Sequence, residues 1–381
     1  MQKYEKKMNC VKECRLKSVS IHRIVMAATN DLATDRRVQR HATALREAGY
    51  EVVTMGRDGE SCKADIAVGT RHRRGWRFYA EYNRQIAKRL RGEHFDVVWA
   101  NDSDTLPGCH AAARRMKARL VLDAHELFPE VPEIQRKPLV KWVWRTVERQ
   151  LFPRCDAMLT VCRSVADHYR RTLGVEMAVV RNVPGKGEAG MPADPASGAR
   201  HPALKTLLYQ GAVNLGRGVD WAIDALEWLP CCRLVVAGGG DLLEQMKAYA
   251  ASRPWADRVL FLGRLMPDEL TVLTRQADVG LVMLEDMGLS YHYALPNRVG
   301  DFVDAGVPMV VSDLPEMAAV VRRFDVGEVI ESGEWSNAEA LAKAVRKVLA
   351  RGKENYDFAE ARADMDWDKE KLKLIEIMDR L

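Results

Sequence analysis

Long hydrophobic runs are absent from this chain of 381 residues, and no apolar segment reaches the roughly 18 residues that a membrane-spanning helix requires. The first residues, MQKYEKKMNCVKECRLKSVSIHR, are charged and lack the apolar core of a secretory signal peptide. We therefore expect a cytoplasmic protein. The length exceeds the size at which one hydrophobic core stops growing, so we also expect two domains.

Cysteine pairs with the spacing of a zinc site are missing as well. The eight cysteines are scattered along the chain. Cys10 and Cys14 could lie one helical turn apart, but no second pair follows to complete a ligand set. We expect reduced thiols and no bound metal.

The signatures of two other function classes are absent too. A nicotinamide oxidoreductase needs G-x-G-x-x-G after its first strand, where this chain reads TNDLATD. Nucleic acid is not an expected partner either, because the basic stretch of the chain is short and no recognition fold emerges.

Charge is distributed unevenly. Residues 1–180 contain 34 Lys and Arg against 22 Asp and Glu, whereas residues 181–381 contain 24 against 31, so the halves carry +12 and −7. The densest basic stretch, Arg71–Arg91, reads RHRRGWRFYAEYNRQIAKRLR. Such a segment can contact an anionic membrane, here its inner face, or bind phosphates, and the alternative is a solvated basic helix. The sequence leaves both interpretations open.

Short β-branched runs alternate with helix-like stretches in both halves, which predicts an α/β fold of two facing Rossmann-like, doubly wound domains with a cleft between them. The predicted strands are 21–29, 51–56, 96–101, 119–124, 157–162 and 178–182, then 206–211, 233–238, 258–263, 279–284, 308–312 and 327–330. A stretch rich in Pro and Gly predicts a linker. The resulting division is an N-terminal domain 1–183, a linker 184–203, a C-terminal domain 204–345, and C-terminal helices 346–381 returning to the first domain.

Three stretches have clear helical spacing. Asp35–Gly49 places apolar residues at i, i+4 and i+7 and ends on a glycine. Leu139, Val143 and Val147 form a similar apolar stripe, and Trp367–Leu381 is amphipathic, as expected of a closing helix.

Polar residues cluster after several strands of the first domain, where a parallel sheet binds its ligands. Asp35 can cap the helix after the first strand, and Arg36 and Arg37 in its first turn suggest an anionic neighbour. Clusters after the third and fourth strands converge on the same sheet edge. Their members are Asn101, Asp102, Asp104, Asp123, His125 and Glu126. Helix capping is the alternative for each cluster, but the two together favour a site. A histidine at the position of His125 can hydrogen-bond a sugar hydroxyl or support charge in a transition state.

The second domain has candidate phosphate loops after its first two strands. The first loop, QGAVNLGRG, contains Gly211, Asn214 and Arg217, and its glycines allow a backbone to approach a phosphate that Arg217 can neutralise. The second loop contains Gly239 within a triple glycine, which also fits an ordinary strand-to-helix turn.

The segment ALPNRVGDFVDAGVPMVVSD predicts a helix that starts near Pro296 and Asn297. The exposed amides of such a helix start can bind a diphosphate. Asp301 falls one turn further along, where its carboxylate can accept from both hydroxyls of a ribose.

These motifs together resemble the retaining glycosyltransferases of family four. The likeness rests on GRG, FLGRL, ADVGLV and ALPNR…D…AGVPMVVSDLPEM in the second half, and on NDLATDRRVQRHATALREAGYEV, FDVVWANDSDTLPG, LVLDAHELFPE and VVRNVP in the first. It covers about residues 21–380, and no single motif carries it. The resemblance implies two domains that hold the acceptor and the donor, respectively.

Five residues take roles from this resemblance. Arg217 corresponds to the basic residue that holds the donor diphosphate, and Asn297 and Arg298 correspond to the helix-start contacts. Asp301 matches the second glutamate of a paired-glutamate motif, the ribose ligand, and His125 matches the histidine near the transferred sugar. The acceptor side would then contain Asp35, Arg36, Asp102, Asp104 and Glu126.

The chain departs from the family pattern at three places, which predicts altered contacts to acceptor and phosphate or a weakened enzyme. Tyr293 occupies the position of the first glutamate. Gly211 and Ala212 stand where an arginine is usual, and residues around Leu32 and Ala33 replace a glycine pair.

The resemblance implies transfer of a sugar from a nucleotide-sugar donor to a glycan, lipid-linked or phosphorylated acceptor, with retention and without metal or cofactor. Surface polysaccharide or glycolipid assembly is the expected setting. A nucleotide-sugar epimerase of the same twin-domain architecture remains the alternative.

Overall fold

The computed structural model of the protein describes residues 22–33, 35–58, 63–185, 203–334 and 337–381. It divides the chain into two compact units. Unit 1 comprises residues 1–129, 137–180 and 369–381, and unit 2 comprises residues 130–136 and 181–368. Cys10, Cys14 and Cys62 lie outside the described residues, as does most of the predicted linker.

Unit 1 contains a seven-stranded parallel sheet in the order β3-β2-β1-β4-β5-β6-β7. Its strands are β1 (Arg23–Ala27), β2 (Glu51–Arg57), β3 (Ile66–Val68), β4 (Val97–Asn101), β5 (Arg119–Ala124), β6 (Ala157–Thr160) and β7 (Ala178–Val179). The middle strands are buried along almost their whole length, because helices cover both faces of a doubly wound sheet.

Unit 2 contains a six-stranded parallel sheet in the order β10-β9-β8-β11-β12-β13. Its strands are β8 (Lys205–Gln210), β9 (Cys232–Ala237), β10 (Val259–Gly263), β11 (Val279–Val282), β12 (Met309–Ser312) and β13 (Gly327–Ile330). In both sheets the strand order reverses beside the first strand, which is where such folds form their binding sites.

The α-helices alternate with the strands along the chain. They are α1 (Arg36–Glu47), α2 (Gly75–Arg89), α3 (Leu106–Met116), α4 (Pro132–Gln135), α5 (Pro138–Leu151), α6 (Arg163–Leu173), α7 (Val219–Asp224), α8 (Leu243–Ala251), α9 (Pro267–Gln276), α10 (Leu289–His292), α11 (Asn297–Ala305), α12 (Pro315–Phe324), α13 (Ala338–Arg351), α14 (Ala359–Asp364) and α15 (Trp367–Asp379). Among the helices of the described ranges, none combines the length and the hydropathy needed to cross a membrane.

The predicted α/β fold is confirmed, and each predicted strand appears within a few residues of its expected bounds. The three-residue edge strand β3 was not predicted. Helix α11 begins at Asn297, so Pro296 lies at the N-cap position, where it forms no side-chain hydrogen bond, and not at the first helical position.

The apolar stripe predicted for α5 does not face the core. Leu139 and Val143 are 80% and 48% exposed. The helix instead buries Trp144 and Glu148. Trp144 packs edge-on against Phe128 at a centroid distance of 4.8 Å, and the Glu148 carboxylate accepts from Ser103 and Tyr169 at 2.9 Å each. These contacts determine which side of the helix faces the core.

Candidate functional site

The loops after β4 and β5 are joined at the edge of the first sheet. Asn101 and Asp123 are register partners, so the residues that follow them lie side by side. Asp102 has φ of 64°, a left-handed conformation that is uncommon for an aspartate. Its backbone N–H donates to the Asp123 carbonyl at 2.9 Å, and its Oδ1 accepts from the His125 N–H at 2.7 Å.

The His125 imidazole lies between two carboxylates. Its Nδ1 is 3.1 Å from Asp102 Oδ2, and its Nε2 is 3.3 Å from Asp123 Oδ2. Burial opposes the charged ring, but the two carboxylates outweigh burial and raise the pKa of His125 well above its usual 6.5. His125 is therefore an imidazolium at neutral pH, so the predicted charge-supporting role is chemically available to it and a general-base role is not.

Asp123 is held by two buried residues of α1, the cationic Arg37 and the aromatic His41. Arg37 Nε and Nη2 donate to its two oxygens at 2.9 and 2.5 Å, and Arg37 Nη1 donates to the Val180 carbonyl at 2.8 Å. Burial alone would raise the pKa of Asp123, yet the Arg37 charge and His125 keep it well below 3.8. Burial and then Arg37 lower the pKa of His41, one turn along α1, to about 4. The anionic neighbour expected for this turn is thus an internal aspartate.

The remaining acceptor-side candidates lie around this centre. Asp35 caps α1 as predicted, accepting from the Val38 N–H at 3.1 Å. Asp104 is only 5% exposed and accepts from the Thr29 hydroxyl at 2.6 Å. Burial, with Asp102 next, raises the pKa of Asp104 to about 8. Arg36 and Glu126 are partly exposed.

In unit 2, the first loop holds Arg217 between two glycines. Gly216 and Gly218 have φ of 72° and 65°, left-handed values that side chains other than glycine rarely adopt. The turn directs the Arg217 guanidinium over the ring of Tyr291, 4.6 Å from its centroid. The aromatic face stabilises the cation and fixes its direction.

Arg298 lies in the first turn of α11 and is 5% exposed. Its Nη1 donates to the Gln210 carbonyl at 3.0 Å, and its guanidinium lies 4.9 Å from the Tyr209 ring centroid. Burial lowers the pKa of Arg298, and the nearby charge of Arg217 lowers it further. Within the described residues, neither guanidinium forms an ion pair with a carboxylate. Two neighbouring cations without an acidic partner form a site for an anion.

Asp301 is connected to the end of β8. Gln210 Nε2 donates to Asp301 Oδ2 at 2.9 Å, and Gln210 Oε1 accepts from the Thr274 hydroxyl at 2.8 Å. Asn297 is exposed at the start of α11, one turn before Asp301. The helix start, Asp301 and the strand end therefore form one polar edge.

The triple glycine serves loop packing. A Cβ on Gly238 would lie 1.8 Å from the Gly211 carbonyl oxygen, so only glycine fits there. The Val213 N–H donates to the Gly239 carbonyl at 2.9 Å, and Asn214 Oδ1 accepts from the Asp241 N–H at 3.0 Å. These contacts make the two loops one surface beside Gly211.

The candidate residues thus form two groups, one in each unit. Gln210 and Tyr291 are important to the groups but were not singled out in the sequence, and Arg37 was singled out only as a sign of an anionic neighbour. Arg37 had a usable signal, since it lies one helical turn from His41 on the same face of α1. The described ranges contain no group of three or more His, Cys, Asp and Glu side chains arranged to hold a metal ion.

Comparisons with known proteins cover nearly the whole chain. The model of Glycosyltransferase Family 4 matches residues 34–184, and that of Glycosyl transferases group 1 matches residues 192–365. A phosphatidyl-myo-inositol mannosyltransferase of Mycobacterium leprae is 29% identical over 184 residues, 44% of this chain and 45% of that protein. The chain thus matches less than half the length of this curated relative.

Two solved structures have the same fold over almost the full length. Sucrose-phosphate synthase from Thermosynechococcus elongatus has a TM-score of 0.76 at 16% identity, covering 94% of this chain and 98% of its own. Anabaena HepE in complex with UDP and glucose has a TM-score of 0.75 at 14% identity, covering 94% and 100%.

Proposed function

The chain belongs to glycosyltransferase family 4, and from this premise we propose that it transfers a sugar from a nucleoside-diphosphate sugar to a glycan, lipid-linked or phosphorylated acceptor, with retention and without a metal. Unit 2 takes the donor and unit 1 contributes the acceptor side. The proposal also places the enzyme in surface polysaccharide or glycolipid assembly, in the cytoplasm at the inner face of the membrane.

One observation carries the donor assignment. Arg217 and Arg298 are neighbouring cations without a carboxylate partner in the described residues, and Arg298 itself lies in the first turn of α11. A diphosphate has the charge and the oxygen acceptors to satisfy both guanidinium groups and the helix start. The complex of the structural relative HepE contains UDP, a nucleotide of this class.

The same cations suit the chemistry of the leaving group. The acceptor hydroxyl would attack the anomeric carbon on the face from which the diphosphate leaves. The bond from that carbon to the diphosphate oxygen breaks, and a diphosphate oxygen takes the hydroxyl proton. Arg217 and Arg298 would stabilise the charge that develops on the diphosphate, which is the task a metal ion performs in other transferases.

Two further residues would orient the sugar nucleotide. Asp301, whose Oδ2 accepts from Gln210, would accept from the ribose hydroxyls as well. His125, a fixed imidazolium, would support negative charge on the sugar side without accepting a proton.

The acceptor proposal rests on charge and on one relative. Residues 1–180 carry +12, which favours an anionic acceptor, and the basic stretch Arg71–Arg91 would contact an anionic membrane. The relative from Mycobacterium leprae is named a mannosyltransferase of phosphatidyl-myo-inositol, a phosphorylated lipid.

The decisive experiment measures donor binding before any acceptor is known. A thermal-shift screen of nucleoside diphosphates and their sugar conjugates detects ligands because binding raises apparent stability by mass action. We expect a nucleoside diphosphate to raise Tm while the matching nucleoside does not. The selected sugar nucleotide is then incubated with candidate acceptors, and the anomeric configuration of the product is read by NMR. The proposal is contradicted if no nucleoside diphosphate binds. The retaining mechanism is contradicted if the anomeric configuration of the product is inverted relative to the donor.

A further inference from the structure

Large apolar side chains protrude from two neighbouring helices of unit 1. Leu139, Val140, Trp142 and Val143 in the first two turns of α5 are 80, 36, 65 and 48% exposed. Trp76, in the first turn of α2, is 73% exposed. Two exposed tryptophans and an almost fully exposed leucine leave far more apolar surface in water than isolated surface residues usually do.

Helices α2 and α5 contact each other through aromatic rings on the core-facing side of α5. The Tyr79 ring of α2 packs edge-on against Trp144 of α5 at a centroid distance of 5.3 Å, and both rings contact Phe128. Trp144 is buried, and it therefore turns the opposite side of α5, with Leu139, Trp142 and Val143, towards solvent.

The surroundings of the apolar side chains are cationic. Helix α5 carries Lys141, Arg145 and Arg149, while its one acidic residue, Glu148, is buried. On α2, the acidic residue Glu81 is engaged by the backbone N–H groups of the basic stretch at 3.0–3.2 Å. Either an acidic protein surface or an anionic lipid surface would complement this positive charge.

The residue types of the region favour lipid. Tryptophan, leucine and valine stand beside Lys141, Arg145 and Arg149 on α5, which is the composition of a helix that lies at a bilayer surface. A bilayer accepts protruding tryptophans and leucines at the boundary between head groups and acyl chains, and it places cations among the phosphates.

We propose that the exposed face of α5, defined by Leu139, Trp142, Val143 and Lys141, is a bilayer-docking surface that inserts its apolar side chains into an anionic leaflet. The inference rests on the membrane contact in the proposed function and deepens it. The basic stretch Arg71–Arg91 attracts the anionic surface at long range, and the apolar side chains at the start of α5 insert into it. Insertion predicts a component of binding that salt does not remove, because apolar burial is not screened.

The test is sedimentation of the full chain with vesicles of phosphatidylcholine and phosphatidylglycerol at low and high salt. We expect the triple variant Leu139→Ser, Trp142→Ser, Val143→Ser to bind at least tenfold more weakly at both salt concentrations. Replacing Arg71, Arg73, Arg74 and Arg77 by Ser should weaken binding at low salt only. The control Met266→Ser removes an apolar side chain of comparable exposure, 52%, from unit 2 and should leave binding unchanged.

Insertion itself is measured with brominated lipids, which quench tryptophan fluorescence at short range. We expect quenching on vesicle binding that Trp142→Phe reduces. Each of three outcomes would overturn the proposal. The wild-type protein does not sediment with the vesicles, the triple variant binds normally, or the protein is a dimer that the triple substitution alone dissociates. Nucleoside diphosphate binding is measured on the same variants, so failure of the docking surface is distinguished from failure of the donor site.

Discussion

Arg37 and Asp123 form a bidentate ion pair between α1 and the end of β5, with side chains 3% and 0% exposed. Asp123 in turn lies 3.3 Å from the His125 ring. The charge of the histidine in the candidate site is thus supported by an aspartate whose own charge depends on an arginine 86 residues earlier in the chain.

Replacing Arg37 with Met leaves the buried carboxylate of Asp123 without its main partner. We expect a loss of about 3–5 kcal/mol in the free energy of unfolding, measured by urea denaturation. The matched control is Arg119→Met, which breaks an exposed pair with Asp156 of 2.7 Å and should cost at most about 1 kcal/mol. Equal losses in the two variants would show that burial does not strengthen the Arg37 pair.

Asp104 should make the protein less stable as pH rises. Its folded pKa of about 8 exceeds its usual 3.8, so between these pH values the folded state binds more protons than the unfolded state, and stability falls with pH. Asp104→Asn removes this titration. We expect the Tm of the variant relative to wild type to increase from pH 5 to pH 8. A difference in Tm that stays constant over this range would mean that Asp104 is ionised in the folded protein.

Arg217 should bind the diphosphate and not the nucleoside. Arg217→Met removes charge-assisted hydrogen bonds of about 1.5–3 kcal/mol each, so nucleoside diphosphate affinity should fall at least tenfold in calorimetry. Affinity for the nucleoside should not change. Arg275→Met, at an exposed arginine of α9, is the control expected to bind normally. A fall in nucleoside and diphosphate affinity by the same factor would contradict the assignment.

Asp301→Asn separates ribose binding from structural support. Asparagine can still accept the hydrogen bond from Gln210, so Tm without ligand should stay almost unchanged. Each lost charge-assisted bond to a ribose hydroxyl is worth about 1.5–3 kcal/mol, a weakening of at least tenfold for the ribonucleotide. The 2′-deoxynucleotide should lose less. Asp304→Asn on the same helix is the control, and equal losses for both sugars would remove Asp301 as the ribose ligand.

Turnover should survive excess EDTA, since the proposed charge stabilisation comes from Arg217, Arg298 and the start of α11. The measurement is the initial rate of product formation with and without chelator. Loss of the rate with EDTA and its recovery on adding manganese would show that the reaction requires a metal.

Local signals in the sequence were sufficient for the described strands other than β3 and for the fold class. Runs such as RLVLDA and RLVVAG identify central strands because a strand covered on both faces must be apolar along its length. Asp35 was identifiable as a helix cap because the cap and the amide it binds are three residues apart. The edge strand β3 was missed because three residues at a sheet edge carry almost no pattern.

The sequence by itself thus determined the two α/β units, the order of their elements and the strand ends that carry polar residues. Only the tertiary structure decided which of these residues meet. Arg37 and Asp123 form an ion pair although they lie 86 residues apart in the chain, and Gln210 donates to Asp301 over a separation of 91 residues. The apolar stripe of α5 faces solvent because Trp144 and Glu148, on its other side, pack against buried partners. Periodicity in the sequence indicates which residues share a face of a helix. The direction of that face and the protonation of a buried group depend on residues that are distant in the chain, and local spacing carries no information about these residues.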